Sequence, residues 1–290
     1  MSAAAVTDIA LATVRTVTGL REQVRVWKGQ GLRVALVPTM GALHEGHLSL
    51  VRLARARADR VVASVFVNPT QFAPHEDFEK YPRDERRDAG LLASAGCDLL
   101  YAPGVGEMYA PGFSTTVTVA GVSAPLEGEI RPTHFSGVAT VVAKLLIQAG
   151  PDVALFGEKD YQQLQVIRRL TRDLDLPVEI VGAPTVRAED GLALSSRNAY
   201  LSAAERKAAG RLNVILAEAV ARLRAGEPVA AVEAAGAAAL LEAGFARVDY
   251  FAVRDAEDLS SKGPGPLEGP ARVLAAAVIG QTRLIDNMAA

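Results

Sequence analysis

Four short segments of the chain gather imidazole, amide, hydroxyl and cationic side chains beside glycines. The first, Val37-Pro38-Thr39-Met40-Gly41-Ala42-Leu43-His44-Glu45-Gly46-His47, sets two imidazoles three residues apart, after an apolar run and at the start of a helix-forming one. A helix N-terminus offers unpaired N–H groups and a partial positive charge, which suits phosphate oxygens. His44 and His47 can face one triphosphate there and donate hydrogen bonds as negative charge builds on a departing pyrophosphate. The other use of such a pair is a metal site, but zinc wants a third and a fourth ligand. Only His75 and His134 remain, and Cys97 is the sole cysteine, so no closely spaced ligand set accompanies the pair.

The second segment, Phe156-Gly157-Glu158-Lys159-Asp160-Tyr161-Gln162-Gln163, again follows an apolar run and opens a helix. Gly157 lets backbone approach a ligand, Lys159 supplies a point charge for phosphate, and Asp160 either caps the helix or holds a ribose hydroxyl. The third, Leu192-Ala193-Leu194-Ser195-Ser196-Arg197-Asn198, places two hydroxyls beside a guanidinium. That set suits a phosphate clamp, although Ser-Ser-Arg alone is also an ordinary polar turn. The fourth, Phe66-Val67-Asn68-Pro69-Thr70-Gln71-Phe72, carries two side-chain amides. Asn68 and Gln71 each offer a donor and an acceptor for hydroxyls and a carboxylate, or else they end a strand and cap a turn.

Such segments need strand ends to hold them. Apolar runs at Arg33–Val37, Val61–Val67, Leu99–Tyr101, Val153–Phe156 and Val178–Val181 read as strands, and they alternate with helical patterns over Gly46–Arg57, Asp84–Ser94, Gly137–Gln148 and Tyr161–Asp173. Alternation with fully apolar strands indicates a parallel sheet covered on both faces, so residues 1–185 are expected to form a Rossmann-like α/β domain. Residues 186–290 turn alanine-rich, with helices expected over Ser202–Arg224 and Val229–Ala243 and strands over Arg247–Val253 and Arg272–Ile279. They are expected to form a smaller α+β domain, with Ser260–Pro270 an exposed Gly- and Pro-containing loop.

Composition narrows the partners. With 31 basic against 33 acidic residues the formal net charge is −2, which gives no global field for a polyanion and argues against nucleic acid. The longest apolar runs, such as Val61–Val67 and Val273–Ile279, fall far short of the ~20 residues a membrane helix needs. Met1–Ala12 has neither a basic leader nor a long apolar run, so no secretory signal is expected. A lone Cys97 fits a reducing cytoplasm and a core position.

The first segment resembles the HIGH signature of class I aminoacyl-tRNA synthetases and related nucleotidylyltransferases, and Leu194-Ser195-Ser196-Arg197 resembles the KMSKS loop that closes over ATP in that superfamily. Near-neutral charge and the lack of a tRNA-binding extension set a tRNA synthetase aside. The four segments in this order, together with Tyr81-Pro82-Arg83, Arg131-Pro132-Thr133-His134-Phe135-Ser136-Gly137-Val138 and Thr282-Arg283-Leu284-Ile285-Asp286-Asn287, resemble the pantothenate synthetase family over nearly the whole chain.

The resemblance implies an AMP-forming ligase that activates pantoate with ATP as an adenylate and passes the acyl group to β-alanine. It implies that Met40, Gly41, Ala42, Leu43, His44, Glu45, Gly46 and His47 bind ATP, with Gly157, Glu158, Lys159, Asp160, Val186, Leu194, Ser195, Ser196 and Arg197. His44, His47, Lys159 and Arg197 would be catalytic, His47 as a proton donor. Gln71 and Gln163 would hold pantoate, Gln71 also lying near β-alanine, with Asn68, Arg131 and His134 as neighbours. Mg2+ would ride mainly on the ATP phosphates, with Asp88 a weaker candidate ligand, and the chain would form a homodimer. Two departures stand out: Leu194 replaces the usual Met, keeping apolar bulk, and Thr70 stands where some members have Met. The competing readings are adenylyl transfer that stops at a phosphate or nucleotide-like acceptor, and a silent nucleotide-binding module, which would not need His44, His47, Lys159 and Arg197 together.

Overall fold

The computed structural model describes residues 11–72, 78–79 and 81–290, so His75 and most of the N-terminal segment read above lie outside the described residues. Six strands, β1 (Thr13–Val14), β2 (Val34–Thr39), β3 (Arg60–Val65), β4 (Leu99–Tyr101), β5 (Val153–Gly157) and β6 (Glu179–Ala183), form a sheet in the order β1-β4-β3-β2-β5-β6. Every pairing in it is parallel. Successive residues serve opposite faces: Val34, Leu36, Val62 and Phe156 enter one core, while Ala35, Val37, Val61 and Leu155 enter another. Helices Val17–Gly29, His134–Ala149 and Tyr161–Asp173 cover the first face, and Glu45–Arg55 and Glu85–Ser94 the second. Burial on both faces is why these strands read as unbroken apolar runs.

The strand order positions the site. From β2 the chain proceeds outward to β3 and β4, then returns along helix His134–Ala149 to pair β5 against the other edge of β2. At that reversal the connections leaving β2 and β5 diverge, and a crevice opens at their carboxyl ends.

The second sheet is antiparallel, in the order β7 (Arg247–Asp255), β8 (Ala271–Ile279), β9 (Thr282–Ala289). Helices Arg211–Arg224 and Val229–Glu242 bury Leu212, Leu216, Val232 and Leu240 with Val253, Val273 and Ala275, while Ala252 and Leu274 join the core of the first sheet. The two sheets are therefore joined through packed side chains.

Local differences from the sequence reading have physical causes. The helix expected over Ser202–Arg224 is two, Ala203–Ala209 and Arg211–Arg224, interrupted at Gly210, where a Cβ would sit 2.9 Å from the Asp190 carboxylate. Helix Val17–Gly29 was not read from the sequence because it buries only Leu20, Val24 and Trp27 of its thirteen residues. Strand β9 was missed because Arg283, Asp286 and Asn287 break its apolar alternation. Cys97 is buried as expected; burial pushes its thiol up to about 11, which makes it a core group rather than a nucleophile. Among the described residues no helix is long and apolar enough to cross a membrane.

Gly137 shows how closely a helix approaches the strand-end segment. A Cβ there would lie 2.4 Å from the Thr70 carbonyl oxygen and 2.8 Å from the Gln71 Cα. Gly137→Ala is expected to lower unfolding free energy by ~1–3 kcal/mol through this clash, read as a reduced urea midpoint with unchanged slope.

Candidate active site

A cleft of about 1400 Å³ lies at the carboxyl ends of β2 and β5 and is walled on the far side by residues 192–198 and the start of β9. Its first edge is the loop leaving β2. Gly41 and Ala42 both take left-handed backbone, with φ of 82° and 51°. The loop holds this shape because Asp88 Oδ2 accepts from Ala42 N–H and Asp88 Oδ1 from Leu43 N–H, each at 2.9 Å. A Cβ at Gly41 would stand 2.9 Å from Asp88 Oδ2, so glycine is needed here for space as well as for its φ. Asp88 is 1% exposed. Each of its oxygens holds one N–H of the loop, so Asp88 anchors the loop in its left-handed turn. Leu43 drops into the core, so Gly41, Ala42 and Leu43 shape the loop while Met40 lines the cleft.

The two imidazoles follow at the start of helix Glu45–Arg55. His44 is the N-cap: its Nδ1 accepts from Gly46 N–H at 3.1 Å, and His47 Nδ1 accepts from His44 N–H at 3.3 Å. The rings meet at a tilt of 44° with centroids 4.1 Å apart. A ring nitrogen that accepts a backbone N–H carries no proton of its own, so in both rings the proton sits on Nε2. Burial, followed by repulsion from Lys159, lowers the His44 pKa to about 4. Burial, followed by the charge of His44, lowers that of His47 to about 3. At neutral pH both are thus uncharged Nε2–H donors. Expected as a proton donor, His47 is suited in the free enzyme to donating a hydrogen bond rather than releasing a proton.

The second edge comes from β5. Gly157, Lys159 and Asp160 line the cleft beside His44 and His47. Glu158 instead pairs with Arg272 at 3.0 Å, and Glu45 pairs with Arg52 along the outer face of its helix; neither lines the cleft. On the far wall, Leu194 N–H donates to the Val186 carbonyl at 2.9 Å, and Ser195 Oγ accepts from Arg197 N–H at 3.3 Å. That arrangement turns Leu194, Ser196 and Arg197 into the cleft with Val186 and Ser195.

The amides form the third edge. Asn68 Oδ1 accepts from the hydroxyls of Tyr109 at 2.8 Å and Thr70 at 3.0 Å, which forces Asn68 Nδ2 toward Gln71 Oε1 at 3.0 Å and the Gly137 carbonyl at 3.2 Å. Gln71 Nε2 is thereby directed to Met40 Sδ at 3.2 Å, within the cleft. The Thr70 hydroxyl, on an exposed residue, therefore helps to orient the amide pair. Tyr109 was missed because its partners lie some forty residues away in sequence. Arg131 and His134 also line the cleft and both donate to the Gln71 carbonyl, at 3.3 and 3.0 Å. Gln163 lines the cleft too, whereas its neighbour Gln162 is buried and spent on the Val122 and Pro125 carbonyls.

The histidine pair also has a consequence for stability. Unfolded imidazoles titrate near ~6.5. Because the native pKa values are lower, the unfolded chain binds protons that the native state refuses as pH falls from about 6.5 toward about 4. Their contribution is intact above the unfolded pKa and is lost on acidification. Denaturant titrations at pH 7 and pH 5 are expected to show a larger loss of stability in the wild type than in the His44→Gln/His47→Gln double variant.

Comparison with known proteins agrees with this geometry. The family model described as pantoate-beta-alanine ligase matches residues 12–289. A pantothenate synthetase of Caulobacter vibrioides is 66% identical over 277 residues, covering 95% of this chain and 97% of the relative. The crystal structure of pantothenate synthetase from Thermus thermophilus superposes with a TM-score of 0.87 at 50% identity, covering 96% of this chain and 99% of that one. The pantoate-beta-alanine ligase of Francisella tularensis, crystallised with beta-gamma ATP and beta-alanine, superposes with a TM-score of 0.80 at 32% identity, covering 96% of this chain and 97% of the other. By fold, by the residues gathered at its strand ends and by these matches, the chain belongs to the pantoate-beta-alanine ligase family.

Proposed function

We propose that the chain condenses pantoate with β-alanine in an ATP-dependent reaction that passes through an enzyme-bound pantoyl-adenylate. The observation that carries this reading is that two chemically different edges line one cleft. His44, His47 and Lys159 present donors and a charge suited to phosphates, and Gln71, oriented by the buried Asn68 amide, presents an amide suited to a hydroxy acid. The Francisella tularensis relative, crystallised with a nucleotide and beta-alanine, supports it.

A carboxylate is a poor acceptor for an amine until one of its oxygens becomes part of a good leaving group. In the first step a pantoate carboxylate oxygen attacks the α-phosphorus of ATP and pyrophosphate departs. Gln71, with Gln163 beside it, fixes the acid; the Nε2–H groups of His44 and His47, with Lys159 and Arg197, stabilise charge on the departing oxygens. In the second step the uncharged β-alanine amine attacks the acyl carbon, and AMP leaves with the former carboxylate oxygen. No side chain needs to act as a nucleophile.

Magnesium fits as a companion of the nucleotide: it would neutralise phosphate charge while keeping oxygen and water ligands. Asp88 is engaged by the loop, and among the described residues no cluster of three or more His, Cys, Asp or Glu side chains forms a cage for it. We further propose that residues 1–185 and 186–290 act as separate domains, the second closing over ATP, and that the enzyme works in the cytoplasm as a homodimer. Exposed Val26 and Ile147, on two helices that pack together, support the dimer by leaving apolar surface in the N-terminal part.

Pantoate labelled with 18O in its carboxylate tests the chemistry. AMP carrying one labelled oxygen, formed only with β-alanine present, is the expected product; unlabelled AMP would rule out the adenylate. His47→Ala is expected to slow pyrophosphate release by ~10²–10³-fold, as loss of a charge-stabilising donor does. A rapid-quench measurement showing wild-type rates would remove that imidazole from the reaction.

A further inference from the structure

Asp286 and Asn287, adjacent on β9 and 2% and 3% exposed, touch neither the amide wall nor the histidine pair. Each reaches a different segment of the phosphate side. Asn287 Nδ2 donates to the carbonyls of Glu158 and Lys159, both at 2.9 Å, and its Oδ1 accepts from Arg272 Nε at 2.6 Å. Arg272 also pairs with Glu158 at 3.0 Å and lies over the Tyr161 ring at 4.0 Å. Asp286 takes Arg187 in a two-pronged pair, at 2.6 and 2.9 Å, and the same guanidinium donates to the Gly191 carbonyl at 3.0 Å. Arg187 and Ala193 bridge the two arms of the short hairpin that leads into Leu194–Arg197. Successive side chains of a strand leave on opposite faces, so one dipeptide can hold two segments that do not bond each other.

We propose that Asp286 and Asn287 are positioning residues for the ATP half-reaction, fixing the Lys159 turn and the Ser195–Arg197 loop in one register. Geometry of this kind matters because the phosphate contacts come from two separate stretches of chain, and a shift of about 1 Å in one can cost ~10²-fold in rate. The inference rests on assigning Lys159 and Ser195–Arg197 to ATP, as under the proposed function.

The test uses Asn287→Asp, which keeps shape and the acceptor for Arg272 but loses both donors, and Arg187→Lys, which keeps charge but loses the fork. Single-turnover measurements follow pyrophosphate release from ATP and pantoate, then AMP release when β-alanine is added to the preloaded enzyme. Both variants are expected to slow the first rate constant by ~10²-fold and raise the ATP KM. The AMP step and the KM values for pantoate and β-alanine should stay within about twofold. Asp286→Glu, which restores a carboxylate for Arg187, should recover much of the first rate relative to Asp286→Ala. Equal slowing of both steps, loss of amplitude with an unchanged rate constant, or wild-type kinetics in both variants would overturn the inference. A Lys159→Ala variant with wild-type ATP KM and pyrophosphate-release rate would instead overturn the assignment beneath it.

Discussion

Backbone N–H groups at the start of helix Glu45–Arg55 set the protonation pattern of the histidine pair in the cleft. Each holds an imidazole Nδ1 as an acceptor, Gly46 for His44 and His44 for His47, and so directs the remaining ring proton to Nε2. Burial, the largest influence on both rings, disfavours their charged forms, and Lys159 adds repulsion. Several pKa units at ~1.4 kcal/mol each make imidazolium at neutral pH costly in the free enzyme. Two neutral donors beside one lysine form a wall that can stabilise a polyanion without repelling its own members. Nucleotide binding would then bring negative charge to the rings and push their pKa values upward, when the leaving group needs hydrogen bonds most.

That arrangement depends on the loop before the helix. Gly41 and Ala42 adopt left-handed backbone because Asp88, reaching from the start of the next helix but one, satisfies the N–H groups of Ala42 and Leu43. The loop is thereby built into the sheet's opposite core through Leu43, and the imidazoles inherit its rigidity. The amide wall is held in the same way: hydroxyls of Thr70 and Tyr109 fix one amide, which fixes the next. Both walls rely on groups that never enter the cleft.

Much of this was legible in the sequence because unbroken apolar runs and helical patterns identify buried strands and their covering helices, and parallel sheets place ligands at carboxyl strand ends. The motifs at Met40–His47, Asn68–Gln71 and Gly157–Asp160 follow β2, β3 and β5, as the apolar runs indicated. What the sequence did not disclose are roles set by distant contacts. Asp88 entered only as a weaker candidate magnesium ligand, since nothing local reveals that its oxygens meet a loop forty-five residues earlier. Tyr109 and the Asp286-Asn287 pair act across similar or longer separations. Glu45 and Glu158 sit inside chemically suggestive motifs but turn away to pair with Arg52 and Arg272. Gln162 and Gln163 are adjacent and identical in type, and only packing assigns the first to the core and the second to the cleft.

His44 and His47 are neutral, Nε2-protonated donors in the free enzyme. Nitrogen-15 NMR of the histidine side chains, titrated from pH 8 to pH 5 and assigned with single His→Gln variants, tests this state directly. Both rings are expected to show an unprotonated Nδ1 and a protonated Nε2 throughout this range, with no midpoint above about 4. A midpoint near ~6.5, the value of a solvated imidazole, or a proton on Nδ1 of either ring, would contradict it.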